Sequence, residues 1–250
     1  MEKIKYFGKR TLDTFIISLS YEDLLPGLKL KDIYPFAEAI QGSFPTQPTL
    51  GLLKRRFTQI NLAPFTFWDE NKKNRVEIGQ DFLVFTFTDY LKWDKELPKV
   101  TKVFNALNDI LDLPNINKIV LTYIDLFPIP REEFNYNRYF TMPNFDIEHE
   151  WEIKFHDFVL GIVPFDDPLD EEKKKIVLRL KSIPQDHNDT HFNFRLETIG
   201  SVDNFSMTPD IEILCNHLDD CHNRIEDCFI KFLTAEYRSE LALDVVPYQE

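Results

Sequence analysis

Between Asp210 and Leu241 the chain reads DIEILCNHLDDCHNRIEDCFIKFLTAEYRSEL. Ile211, Leu214, Cys215, Leu218, Ile225, Phe229, Phe232 and Leu233 recur at steps of three and four residues, the spacing of one long helix with a single buried stripe. His222 falls in the middle of the stripe. Asp219, Asp220, Glu226, Asp227 and Glu236 are assigned to the opposite, solvated face. Thr208, Pro209 and Asp210 form the start signal. Such a stripe implies that the helix lies on a large apolar surface.

Upstream, three strands are expected, at Trp151 to Pro164, Lys175 to Ile183 and His191 to Ile199, separated by the polar turns DDPLDEEKK and PQDHNDT. In the last of them Phe192, Phe194 and Leu196 alternate with Asn193, Arg195 and Glu197. The N-terminal half predicts a strand over Thr11 to Tyr21 and a helix over Leu28 to Ile40. Strands follow over Arg55 to Phe67 and Arg75 to Asp89, joined by the turn WDENKKN, then a helix from Pro98 to Leu111 and a strand from Asn117 to Phe127. The element order predicts an α+β fold with mainly antiparallel strands, βαββαβ over 1–127 and βββα over 151–250. Residues 128–150 form an irregular aromatic connector, and the two sheet-and-helix lobes stand apart or fuse into one sheet.

The 23 Phe residues and a 43% hydrophobic content supply a sizeable core. Seven Gly stand far apart, so neither nucleotide-binding glycine fingerprint can be drawn. The net charge is −13, a sign that repels phosphate backbones and anionic lipid and disfavours nucleic acid as a partner. From Ser201 to Glu250, eleven acids face three bases, a balance of −8. That is either a solvated helix face or an acidic surface for a basic partner. Cys215, Cys221 and Cys228 all lie on the final helix. Cys221 and Cys228 are spaced about 10 Å along its axis, too far for a disulfide. Reduced thiols and a cytoplasmic setting are expected. No signal peptide is expected at the start, where MEKIKYFGKR is followed by the short, strand-like TLDTFIISLS, and no apolar run approaches the roughly 18 residues of a membrane span.

Three segments carry a family resemblance: VEIGQDFLVFTFTDYLKWDKE with Tyr90 and Trp93, KIVLTYIDLFPIP with Tyr123-Ile124-Asp125, and HNRIEDCFIKFLTAEYRSEL with His222, Phe229 and Thr234. In order and spacing they resemble a sporadically distributed prokaryotic protein family of unknown function. The family's central strand usually reads Arg-Tyr-Ile-Asn, where this chain has Thr122 and Asp125 at the outer positions. The resemblance implies a cytosolic accessory protein of the kind found in mobile defence or toxin–antitoxin loci. It implies no catalytic residue.

Candidate chemistry is sparse. His217 and Cys221 stand one turn apart, but two ligands do not close a zinc site, and no metal or cofactor is expected. Asp186, His187, Asp189 and His191 could hold a metal or serve as acid and base in a hydrolase or nuclease, but a polar turn explains them as well. His149, Glu150, Glu152 and His156 read the same way, and the strand-borne His156 and Asp157 followed by Asp166 and Asp167 resemble scattered nuclease carboxylates but lack the Glu-x-Lys such a site needs nearby. Lys54, Arg55 and Arg56 with Phe57, Phe65, Phe67 and Trp68 read as a strand edge or a small anion contact. In the connector, Phe134, Tyr136, Tyr139, Phe140, Met142 and Phe145 either plug the space between the lobes or form a partner-binding surface. The expected function is a non-enzymatic protein-binding accessory or regulatory subunit, acting on a protein partner or as a homodimer. A metal-dependent hydrolase and a small-molecule sensor binding between the lobes are the alternatives.

Overall fold

Along the first long strand every second side chain, Phe15, Ile17, Leu19 and Tyr21, is buried, the signature of a sheet with one face in a core. The computed structural model of the chain describes residues 2–6, 12–23, 25, 30–46, 49–50, 65–88, 92–130, 136–141, 157–162, 173–183, 191–241 and 244–247. Its first half runs β1 (Glu2–Tyr6), β2 (Leu12–Tyr21), α1 (Leu30–Ile40), β3 (Thr49–Leu50), β4 (Phe65–Trp68), β5 (Asn74–Ile78), β6 (Phe82–Phe87) and α2 (Trp93–Leu111). The second half runs β7 (Ile116–Pro130), α3 (Tyr136–Tyr139), β8 (Asp157–Ile162), β9 (Lys173–Ile183), β10 (His191–Met207), α4 (Ile211–Phe232), α5 (Ala235–Glu240) and β11 (Asp244–Pro247). The fold is α+β.

Nine strands form one antiparallel sheet in the order β3-β4-β5-β6-β2-β7-β10-β9-β8, and β1 pairs separately with β11. The two halves are thus fused, through the β2–β7 pairing that sets Phe15 opposite Tyr123 and Ile17 opposite Leu121. Outward from that centre the pairing order is alike on both sides: β6, β5, β4 on one, β10, β9, β8 on the other. In each half the strand beside the centre leads into a long helix, β6 into α2 and β10 into α4.

All three long helices bury their stripes against one face of the sheet. Val100, Val103, Phe104 and Leu107 of α2 and Leu214, Leu218, Cys221 and Ile225 of α4 share a core with the alternating residues of β2, β5, β6 and β7. A second core lies beyond it, where Phe229 and Phe232 meet Phe127, Ile129, Phe194 and Leu196. Among the described residues no helix packs on the opposite face of the sheet.

Five boundaries differ from expectation. Strand β7 runs three residues past Phe127 into the expected irregular connector, because Pro128, Ile129 and Pro130 stand opposite Asn193, Phe192 and His191 of β10. The strand expected over Arg75 to Asp89 is two strands, because the chain turns at Gly79, whose N–H donates to Phe82 O over 2.9 Å. A Cβ at Gly79 would stand 2.3 Å from the Phe82 ring, so the turn admits only glycine without a shift. The final helix is also two: Leu233 adopts extended backbone and bridges Phe140, and Thr234 caps α5 by accepting from Tyr237 N–H over 3.2 Å. Helix α2 starts at Trp93, a turn and more before Pro98. Strand β10 continues past Ile199 to Met207, paired on both sides as far as Asp203. The α4 start is as expected, with Asp210 accepting from the N–H groups of Glu212 and Ile213.

Candidate functional site

The three segments that carry the family resemblance converge. Trp93 opens α2, Tyr123 lies mid-way along β7 and His222 mid-way along α4. The His222 ring stacks on Trp93 with centroids 4.5 Å apart and planes 11° apart. Its Nδ1 lies 2.7 Å from the Tyr123 hydroxyl, and its Nε2 lies 3.4 Å from Glu226 Oε1 one turn on. A carboxylate only accepts, so Glu226 selects the Nε2–H tautomer. Nδ1 is then an acceptor, and the Tyr123 O–H donates to it. Trp93 Nε1 donates to Asp219 Oδ1 over 2.5 Å, and the Phe15 ring stacks on Tyr123 at 4.6 Å. Glu226 therefore lies on the inner side of α4, not on the solvated face expected for it: its side chain is 19% exposed.

These groups form a polar seam between the two apolar cores. Asp125 and Thr198 line it from β7 and β10; both are buried, and the Thr198 hydroxyl has no hydrogen-bond partner among the described residues. Trp93, Tyr123 and His222 are each less than a tenth exposed. Phenol, imidazole and carboxylate in series are the parts of a proton relay. Here they pin α4 to β7 and α2 at a fixed register, since two buried polar groups satisfy each other only in that geometry. Phe229 stacks on Phe127 at 6.3 Å and holds α4, and the Thr234 hydroxyl, at the start of α5, donates to the Arg138 carbonyl. Tyr90 lies outside the described residues.

Of the connector aromatics, Tyr139 and Phe140 are 2% and 1% exposed and belong to the second core. Phe140 meets Phe127, Phe194, Phe232 and Tyr237, and Tyr139 packs edge-on against Tyr237 at 4.8 Å. These two fill space inside the chain and present no surface. Phe134, Met142 and Phe145, and the side chain of Tyr136, lie outside the described residues.

Among the described residues no group of three His, Cys, Asp or Glu is arranged to hold a metal. His217 packs near Phe205, at 5.4 Å, while Cys221 is buried. Cys215 and Cys228 are free thiols pushed upward in pKa by burial and then by the carboxylates of Asp219 and Asp227, which disfavours the thiolate that attacks or ligates. The basic triplet at Lys54, Arg55 and Arg56 lies outside the described residues, as do Asp186, His187, Asp189, His149, Glu150, Glu152, His156, Asp166 and Asp167. His191 begins β10 and is exposed.

The sheet face away from the helices carries no helix among the described residues. One row across it reads Arg75, Thr86, Ile16, Thr122, Ile199 and Val177, paired strand to strand. All but Thr86 are half-buried. Toward β9 the rows become ionic. Glu197 sits between Arg195 at 2.7 Å and Arg179 at 3.7 Å, and Asp203 between Lys118 at 2.8 Å and Lys175 at 3.0 Å. Lys175 belongs to the basic run Lys173–Lys175.

Burial pushes Asp203 upward in pKa, but hydrogen bonds from Lys118 and Lys175, and their charges, outweigh it and hold the carboxyl below its ordinary value. A carboxyl depressed in the fold stabilises it above the unfolded pKa of about 4 and loses that contribution as pH falls through the lower folded value. Asp203→Asn is therefore expected to lower stability at neutral pH and to flatten its decline below about pH 4. Urea midpoints measured across that range check this; parallel profiles for the two proteins would exclude it. No helix among the described residues is long and apolar enough to cross a membrane. No protein-family model matches the chain, and no curated protein matches it.

Proposed function

We propose that the chain is a non-enzymatic accessory or regulatory subunit that binds a protein partner through the open face of its sheet, in the setting of a prokaryotic defence or toxin–antitoxin module. The observation that carries this is the central row of Ile16, Thr122, Ile199 and Val177. It is a half-buried, largely aliphatic band across four adjacent strands with no described helix over it. Broad apolar bands rimmed by charge mark interaction surfaces on soluble proteins. The family resemblance, with its accessory-protein implication, supports the setting. The acidic balance of the last fifth of the chain adds electrostatic steering toward or away from particular partners.

Ile199→Glu tests the reading. It places a charge in the middle of the band without touching either core. The wild-type protein is expected to associate, either with itself by light scattering or with a partner cross-linked in its native host and reconstituted from purified components. The variant should lose that association while keeping its melting transition. A wild-type chain that stays monomeric and yields no reconstitutable complex would overturn the proposal. So would an Ile199→Glu variant that associates normally.

A further inference from the structure

The centre of the open face carries a pattern of side-chain sizes that strand register sets. One row reads Thr86, Ile16, Thr122 and Ile199 across β6, β2, β7 and β10. The next reads Val84, Ser18, Val120 and Ser201 across the same strands. Within each row an aliphatic side chain alternates with a small hydroxyl-bearing one, and the second row is offset from the first by one strand. Together they form a checkerboard of knobs and recesses centred on the β2–β7 boundary. Its members are half-buried except Thr86, which is 5% exposed and marks the deepest recess.

Such a surface is its own complement. A second copy turned over about an axis along the strands, between β2 and β7, lays its β7 over β2 and its β10 over β6. Ile16 then faces the partner's Thr122, and Ile199 faces the partner's Thr86. Val120 faces the partner's Ser18, and Val84 faces the partner's Ser201. All four contacts set large against small, as close packing between sheets about 10 Å apart requires. Stacked sheets cross by about 30°, so the fit is closest at this centre. One strand further out, the same operation brings Glu77 toward the partner's Lys175, unlike charges. An axis across the strands keeps the size match but sets Glu197 over the partner's Asp203, two acids.

Resting on the protein-binding reading above, we propose that the partner of the open face is a second copy of this chain, packed face to face about a two-fold axis along the β2–β7 boundary. The area suits it. The six strands from β5 to β9 in sheet order, about 4.8 Å apart and about seven residues deep, cover on the order of 650 Å² in each copy. A stable pair uses roughly 800 Å² per partner. A single helix, about 10 Å wide, covers less than half of the same surface. Charge allows it as well. Around the checkerboard each acid stands beside a base: Asp157 opposite Lys181, Glu197 between Arg179 and Arg195, Asp203 between Lys118 and Lys175. Two chains of net charge −13 therefore meet here without setting acid against acid.

Sedimentation velocity of the purified chain over a concentration series is expected to show a monomer–dimer equilibrium. Ser18→Val fills the recess that receives the partner's Val120 and should weaken the dimer at least about fivefold. Adding Val120→Ser exchanges knob and recess and should restore it. Geometry is read by cross-linking. Positions 77 and 175 lie five strand spacings apart within one chain, about 24 Å. A mixture of Glu77→Cys and Lys175→Cys proteins, treated with a short bis-maleimide, should link between chains. Each protein alone should link no more than the wild type does through its natural thiols. A wild-type monomer at every concentration, a dimer indifferent to Ser18→Val, a double variant no tighter than the single one, or a mixture that does not link would each overturn the proposal. If the chain is monomeric while Ile199→Glu still abolishes binding of a reconstituted partner, the second copy is wrong and the open-face reading stands. If Ile199→Glu leaves association intact, the open-face reading itself fails.

Discussion

Phe140→Ala is expected to lower the unfolding free energy by about 3–5 kcal/mol, the range for emptying a buried aromatic site. The residue is one part in a hundred exposed and touches rings from β7, β10, α4 and α5. Collapse around the gap is restricted, because the backbone on either side is tied down. Thr141 N–H donates to Phe232 O over 2.6 Å, and Thr234 N–H donates to Tyr139 O over 3.1 Å. Those bonds hold the α3 turn against the α4–α5 corner whether or not the ring is present. Tyr34→Ala, at a site 65% exposed, should change stability by less than about 0.5 kcal/mol. Urea denaturation of the two variants beside the wild type measures both. Equal effects would mean that the connector does not close the second core.

His222→Ala is expected to cost at least about 3 kcal/mol, because it removes a buried ring stacked on Trp93 together with its hydrogen bond to the Tyr123 hydroxyl. Tyr123→Phe should cost about 1–3 kcal/mol, since Nδ1 loses its donor in a site with little water. The double variant should be less destabilised than the sum of the two, by about 0.5–3 kcal/mol. That coupling distinguishes a working seam from two residues that merely fill volume. Additivity within about 0.3 kcal/mol would remove the seam from the account of how α4 is held.

Much of the helical layer is legible in the sequence, because a stripe at three- and four-residue steps and the Asp210 cap are local signals. The α4–α5 break is not, since Leu233 keeps the apolar spacing and leaves the helix only to bridge Phe140 from a distant segment. Glu226 is a different case. It stands one turn from His222, so a residue assigned to the buried stripe already placed its neighbour on the same side. The β5–β6 turn had its signal in Gly79-Gln80-Asp81, masked by apolar residues on both sides. Strand order depends on pairings such as Tyr123 with Thr198, which no local pattern encodes. The meeting of Trp93, Tyr123 and His222 could be suspected only from the motifs, not located.

The central β2–β7 pairing has a consequence for synthesis. A ribosome delivers β2 early, and β6 can pair with one of its edges as soon as the first half has emerged. The other edge waits for β7, which follows the whole of α2. Until then a nascent chain displays an unpaired strand bearing Phe15, Ile17 and Leu19 beside an incomplete core, the kind of template that recruits other chains. The residues at the middle of the finished sheet are thus its most exposed liability while it is being made. The interval between the completion of α2 and the arrival of β7 is the one in which β2 stands with a bare edge.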